Sequence, residues 1–466
     1  MKKGFVNSFI AGLYDVRYGE HYQKIIQYFV PELVSAFLLY SLPFWVDAYF
    51  ISCLHSTSSY ATAGVTNTLL HLITKAAEAF SVGTLILTGQ HNGAHDFRQA
   101  GRTLTNSFWI SFIIGVFLSV FIYFGAPWIL WFLNVSDDIS AVGIPYLQFR
   151  AIGILFTFLY FAFVGFLRGI KNTKTPMQIF AIGSVVFIIF DYGFIFGHGG
   201  LPAYGLNGSA FATLVQYAVM VLLALAYCLT VPDVRKYAIQ LFTGIDIWQI
   251  KEIIILSWPV AIDKSILAIA YIWLCKMMGT MGTNVVAAFT VVRDMERFAF
   301  LPAVALAQIV TFLVSNDIGA HNWRGAKSNI KKVFLLAVTM VFLILLVFSL
   351  IPRWIVQIFD HQGDFTVFAA HVFPAVSVLV FFDLLQLILA GALRGAANVR
   401  IVMWARILFL CYFVPVSYAL SLIPMRYDVK FIIIYSSFYI GNALMSVVYA
   451  YWFRSGLWKK TAEVPE

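Results

Sequence analysis

The octet Gly93-Ala94-His95-Asp96-Phe97-Arg98-Gln99-Ala100 returns as Gly319-Ala320-His321-Asn322-Trp323-Arg324-Gly325-Ala326, with five identities at an offset of 226. A second octet, Gly165-Phe166-Leu167-Arg168-Gly169-Ile170-Lys171-Asn172, matches Gly391-Ala392-Leu393-Arg394-Gly395-Ala396-Ala397-Asn398 at the same offset, again in five positions. Two matches sharing one offset indicate that the chain is an internal duplication. Pro31 and Pro259 agree with that register to within two residues.

Around these motifs the chain is apolar. Of its 466 residues, 61% are hydrophobic, 17% aromatic and only 11% charged, against roughly 25% charged in a soluble domain. One water-soluble core does not bury that much apolar surface, so lipid is the solvent for most of the chain. Apolar stretches of about 20 residues, enough to cross a hydrocarbon layer of about 30 Å, fall at 28–52, 60–88, 104–133, 143–167, 177–197, 209–230, 253–279, 285–316, 333–352, 367–393, 401–423 and 431–453. The four cysteines, Cys53, Cys228, Cys275 and Cys411, are scattered and give no disulfide scaffold.

The formal net charge of +9 is a topology signal. Alternate loops and both tails carry 21 of the 31 Lys and Arg, Arg168 and Arg394 among them, whereas the opposite side has only Arg353, Arg426 and Lys430. An excess of basic residues in short loops marks the cytoplasmic side, so both termini are expected in the cytoplasm of a multi-pass protein of the cell (inner) membrane. Without nucleic-acid-binding motifs, the basic residues imply no nucleic-acid partner. The segment after Lys2 and Lys3, interrupted by Asn7, Ser8 and Asp15, reads as a cytoplasmic lead-in rather than a cleavable leader. Trp128, Trp131, Trp354 and Trp452 suit an interfacial aromatic belt.

An even number of spans per repeat inserts both copies in one orientation, related by an axis along the membrane normal. The expected fold is therefore all-α and polytopic, with twelve transmembrane helices in two six-helix lobes. Its parts are a cytoplasmic segment 1–27, an N-lobe 28–230, a cytoplasmic linker 231–252, a C-lobe 253–453 and a tail 454–466. A monomer is expected. Repeat-built bundles of this type are a common plan of secondary transporters.

Ionisable residues at membrane depth are costly and are functional candidates by default. Lys75 and Glu78 lie three apart on span two and can pair. On span eight, Arg293, Asp294, Glu296 and Arg297 cluster at helical spacing, which suits either a hydrated substrate cavity or a self-neutralising network. Asp263 and Lys276 on span seven join them as cavity candidates. Arg150 and Arg406 fall near span ends and read as snorkelling side chains. Asp47, Asp191 and Asp383 have no basic residue at i+3 or i+4. Asp47 and Asp191 share a depth of roughly 10 Å from the outer surface at about 1.5 Å per residue. Burial there penalises the charged form, which suits a proton carrier, and with further oxygen ligands a monovalent cation.

The residues resemble the multidrug and toxic compound extrusion (MATE) family over nearly the whole chain. The resemblance is carried by Phe44-Trp45-Val46-Asp47, Gly93-Ala94-His95, Leu167-Arg168-Gly169 with Asn172-Thr173-Lys174-Thr175-Pro176, the run Gly205 to Thr213, and Asp383 ahead of Gly391-Ala392-Leu393-Arg394-Gly395. It implies export of small organic solutes in exchange for protons or sodium, with Asp47, Asp191 and Asp383 as ion-coupling residues. Two departures stand out. Phe187 occupies a position where members often have Asn, and Leu267 one where some have Glu, with Asp263 a turn earlier. The many basic residues expected in the cavity suggest an anionic or zwitterionic substrate.

Nothing in the sequence resembles a Walker A loop, a His-Glu-x-x-His pair or a Gly-x-Ser-x-Gly elbow, so no enzymatic activity, cofactor or resident metal is expected. The partners expected are lipid, a small organic substrate and H+ or Na+. An alternative is a flippase or exporter of lipid-linked or polyanionic precursors, whose cavity is typically cationic.

Overall fold

The computed structural model describes residues 18–460 other than 134, 243, 358–359, 361–362 and 364. The expected lead-in up to residue 17 and the tail beyond 460 lie outside the described residues. All regular structure among the described residues is helical. The helices are α1 (Tyr22–Tyr40), α2 (Leu42–Ser52), α3 (Thr57–Gly93), α4 (Phe97–Phe132), α5 (Asp137–Gly169), α6 (Lys174–Phe196), α7 (Leu206–Thr230), the short α8 (Pro232–Arg235), α9 (Ile247–Gly279), α10 (Thr283–Gly319), α11 (Trp323–Leu350), α12 (Pro352–Gln357), α13 (Thr366–Gly395), α14 (Val399–Leu422), α15 (Tyr427–Arg454) and α16 (Leu457–Lys460).

Eleven of these are long and apolar enough to cross a membrane. The first expected span is instead two helices, α1 and α2, broken at Ser41. Pro43 explains the break. It has no N–H to donate, and its ring collides with the carbonyl four residues back, so the α1 ladder cannot continue through it.

Contacts divide the chain into two compact units, Val30–Ala261 and Met1–Phe29 with Ile262–Glu466. The divisions fall inside α1 and α9, each close to the repeat-related prolines Pro31 and Pro259. Within the first unit α5 packs on α3, α4 and α7, and α6 packs on α7. Within the second unit the equivalent helices repeat the scheme: α13 packs on α10, α11 and α15, and α14 on α15.

The repeated octets encode this geometry. A Cβ added at Gly165 would meet the Ser81 carbonyl oxygen at 2.4 Å, and one at Gly169 the Thr88 Cβ at 2.7 Å. In the second unit, Cβ atoms at Gly391 and Gly395 would meet the Ala307 and Thr311 carbonyl oxygens at 2.8 and 2.4 Å. Small residues four apart let two helices touch backbone to backbone in lipid, and here they do so on α5 against α3 and on α13 against α10.

The turns repeat as well. His95 and His321 have φ of 60° and 54°, and Lys171 and Ala397 φ of 62° and 59°. These are left-handed residues that close the preceding helices. Asp96 accepts from the Gln99 amide at 3.1 Å, and Asn322 accepts from the Gly325 amide at 3.0 Å. The Asp-to-Asn difference between the octets thus preserves an N-cap.

The stretch 231–252 is folded against the first unit. The Trp109 indole donates to the Leu241 carbonyl at 2.6 Å. Buried Asn106 donates to Gln249 at 2.5 Å and accepts from the Asp246 amide at 2.9 Å. At the start of the described chain, the Glu20 amide donates to Asn329 at 2.8 Å and Lys332 to the Glu20 carbonyl at 3.0 Å, fastening residues 18–20 to α11.

Gly395→Val places branched carbons against the Thr311 carbonyl, and such overpacking costs about 1–3 kcal/mol or more. Its melting temperature in detergent is expected to fall by several degrees. Gly64→Ala, where an added Cβ meets nothing within 4 Å, is expected to leave it unchanged. Equal melting temperatures for native chain and Gly395→Val would refute the close-approach reading.

Candidate functional site: buried acids and their partners

In the first unit, α2 and α6 bring two carboxyl groups together. Asp47 is 7% exposed and Asp191 0% exposed. The Ser209 hydroxyl on α7 donates to Asp47 Oδ1, and Asn67 on α3 stands beside the same carboxylate. Neither oxygen of Asp191 has a hydrogen-bond partner among the described residues. The charges of Asp47 and Arg150 both act on Asp191. Arg150 is held by a hydrogen bond to the Thr213 hydroxyl on α7, with its guanidinium 5.9 Å from the Tyr146 ring centroid. It belongs to the acid site and is not a snorkelling side chain at a span end.

Each octet that carries the close approach also holds an arginine in the buried seam. Arg168 grips Glu32 of α1 through Nε–Oε1 at 2.8 Å and Nη2–Oε2 at 2.6 Å, and Glu32 is 1% exposed. Arg394 donates to Asp263 Oδ2 of α9. The arginine of the fourth span thus binds an acid of the first span in both repeats. Reading Arg168 and Arg394 as loop charges missed this, as it missed Glu32. The signal was present as an Arg between two glycines four apart, with an acid beside Pro31.

The second unit adds a second arginine to its acid. Arg406, 2% exposed, donates from Nε to Asp263 Oδ1 at 2.9 Å. Its Nη1 reaches Asn442 Oδ1 at 3.4 Å, and Asn442 donates to Asp383 Oδ1 at 3.1 Å. Arg406 is therefore a core residue, correcting its placement near a span end. Both oxygens of Asp263 are occupied by guanidinium groups, and Asp383 connects to the same network through Asn442.

The other expected cavity residues are dispersed. Lys75 pairs with Glu78 at 2.9 and 3.2 Å, as their spacing implies. Lys276 is exposed in the last turn of α9, its Nζ 5.1 Å from the Trp273 ring centroid. On α10, Arg293 lies 5.6 Å from the Phe289 centroid and Asp294 is exposed. Glu296 points elsewhere: its Oε2 accepts from the Tyr435 hydroxyl of α15. Among the described residues no group of three or more His, Cys, Asp or Glu side chains is arranged to hold a metal ion.

Duplicated membrane-spanning helices with buried, partly uncompensated acids define a multi-pass membrane protein of the transporter type. The MatE family model matches residues 33–193 and again 259–419, two copies displaced by the spacing of the repeated octets. The chain belongs to the MatE family.

It is 25% identical over 352 residues, 73% of this chain and 74% of the relative, to "Probable multidrug resistance protein NorM" of Agrobacterium fabrum. It is 24% identical over 351 residues, 73% and 74% of the two chains, to "Probable multidrug resistance protein YoeA" of Bacillus subtilis. Among solved structures, a multidrug resistance MATE family transporter of the MOP superfamily in an outward-facing conformation superposes with a TM-score of 0.85 at 19% identity, covering 95% of this chain and 97% of that one. A MOP superfamily transporter from Pyrococcus furiosus, described as having a binding pocket of reverse polarity, superposes with a TM-score of 0.84 at 19% identity, covering 98% and 99%.

Removing one member of a buried ion pair strands the other and costs about 3–5 kcal/mol. Arg406→Gln and Asp263→Asn are each expected to lower the melting temperature in detergent. The double variant should fall by less than the sum of the two, because contacting residues are coupled. Strictly additive shifts would show that the two side chains act independently.

Proposed function

We propose that the chain is a secondary active exporter of small organic solutes, exchanging them for protons by alternating access. The observation that carries this reading is the pair Asp47 and Asp191. Asp191 is enclosed without a hydrogen-bond donor beside a second carboxylate and one cation, Arg150. Burying an unpaired charge is expensive, and binding a proton removes that cost without needing room for anything else. Sodium requires several oxygen ligands, whereas the side chain one turn before Asp191 is the buried Phe187.

Proton loading from outside neutralises the pair, changes how α2 and α6 pack, and favours the state with low affinity for solute. Proton release to the cytoplasm restores the binding state. Coupling needs only that proton and solute prefer different states, so the solute need not touch either aspartate.

The relatives named as multidrug resistance proteins support an organic solute. An anionic or zwitterionic solute is proposed from the number of basic residues within the spans, Lys75, Lys264, Lys276, Arg293 and Arg297 among them. On this reading the protein works as a monomer in the cell membrane with both termini in the cytoplasm, taking no cofactor other than the coupling ion.

Proteoliposomes under an imposed pH gradient test the proposal, with norfloxacin as zwitterionic probe and ethidium as cationic probe. Norfloxacin is expected to accumulate more than ethidium. Asp47→Asn and Asp191→Asn are each expected to reduce gradient-driven accumulation at least about tenfold, the scale of a typical coupling free energy. Undiminished accumulation in both variants would overturn the assignment of the pair, and accumulation driven by a sodium gradient alone would overturn the choice of ion.

A further inference from the structure

The acids of the second unit divide by their partners. Asp263 has both oxygens on guanidinium groups, and Asp383 is tied through Asn442 to Arg406. Glu296 is different. It is 7% exposed, its Oε2 accepts from Tyr435, and Tyr439 stands beside the carboxylate. Its Oε1 has no hydrogen-bond partner among the described residues.

The surrounding ionisable groups come from several helices. Tyr435 and Tyr439 belong to α15 and Asp383 to α13, and both helices act on Glu296 directly. Tyr271 of α9 interacts with Glu296 and also with Asp383, Arg293 and Arg406. None of these is a cation bonded to Glu296. Tyr435 is 1% and Tyr439 3% exposed, with Tyr435 edge-on to Phe289 at 5.8 Å and to Tyr439 at 5.5 Å between centroids.

We propose that Glu296 is a second proton-binding site, located in the unit that does not contain Asp47 and Asp191. The proton bonds to Oε1, and Oε2 keeps its Tyr435 donor in both states. Tyr435 holds the carboxylate in place and softens the cost of its charge through a charge-assisted hydrogen bond, so that the group can cycle. The inference deepens the proton-coupling reading above and rests on it for its role in transport.

Infrared difference spectra of the full chain in lipid vesicles, recorded on acidification, test it without any solute. The native protein is expected to gain a buried carboxylic acid C=O band that Glu296→Gln lacks. Asp191→Asn, measured in parallel, is expected to lose a different band and retain this one. An unchanged set of bands in Glu296→Gln overturns the inference whatever Asp191→Asn shows. If Asp191→Asn loses no band while Glu296→Gln does, the inference stands and the Asp47/Asp191 reading fails. Should Glu296→Gln fail to fold, Tyr435→Phe gives the second measurement. Loss of one phenol donor is expected to raise the frequency of the Glu296 band, and a band that does not move overturns the proposal.

Discussion

The structure depends on how closely one helix must approach its neighbour in a medium that offers no hydrophobic drive for helix association. In lipid that approach is held by dispersion contacts and buried polar links, and both are written into Gly-x-x-Arg-Gly. The glycines at 165 and 169, and at 391 and 395, bring α5 onto α3 and α13 onto α10 with backbone atoms where a side chain would stand. The arginine between them then lies in a seam where it cannot remain unpaired, since a lone buried charge costs several kcal/mol. Glu32 and Asp263 meet that demand. One short motif thus fixes two neighbours of the fourth span in each repeat: the second span by shape and the first by charge.

Much of this was legible in the sequence and some was not, for identifiable reasons. Hydrophobic length found the spans, and the offset of 226 found the repeat, because both are local or translational properties of the chain. Within span one, the total apolar length hides the break that Pro43 makes at Ser41. The acid pair Asp47 and Asp191 could be anticipated from depth alone, which counting residues supplies. Arg150 and Arg406 could not, because their partners lie 63 and 143 residues away and spacing along one helix says nothing about facing helices. The Arg293 and Glu296 spacing failed for the opposite reason. It correctly places two side chains near each other on one helix, but Tyr435 on another helix offered Glu296 a partner in the dry interior.

The two repeats share a frame while using charge differently. In the first unit one arginine satisfies one glutamate through both oxygens, which leaves Asp47 and Asp191 outside the clasp. In the second unit Asp263 is shared between Arg394 and Arg406, and Arg406 extends through Asn442 towards Asp383.

That difference bears on which ion such a unit can carry. A sodium ion seeking Asp263 would have to displace a guanidinium tethered to the same fold, and tethering gives that competitor an effective concentration in the millimolar range or above. The guanidinium also brings fork geometry matched to a carboxylate, whereas sodium must shed water to bind. Competition on those terms favours the resident cation. A proton competes differently, because it needs only a carboxyl oxygen with no donor already on it. Asp191 presents two such oxygens and Glu296 one, and neither is a relic of the duplication, because at the offset of 226 they correspond to Ser417 and Leu70.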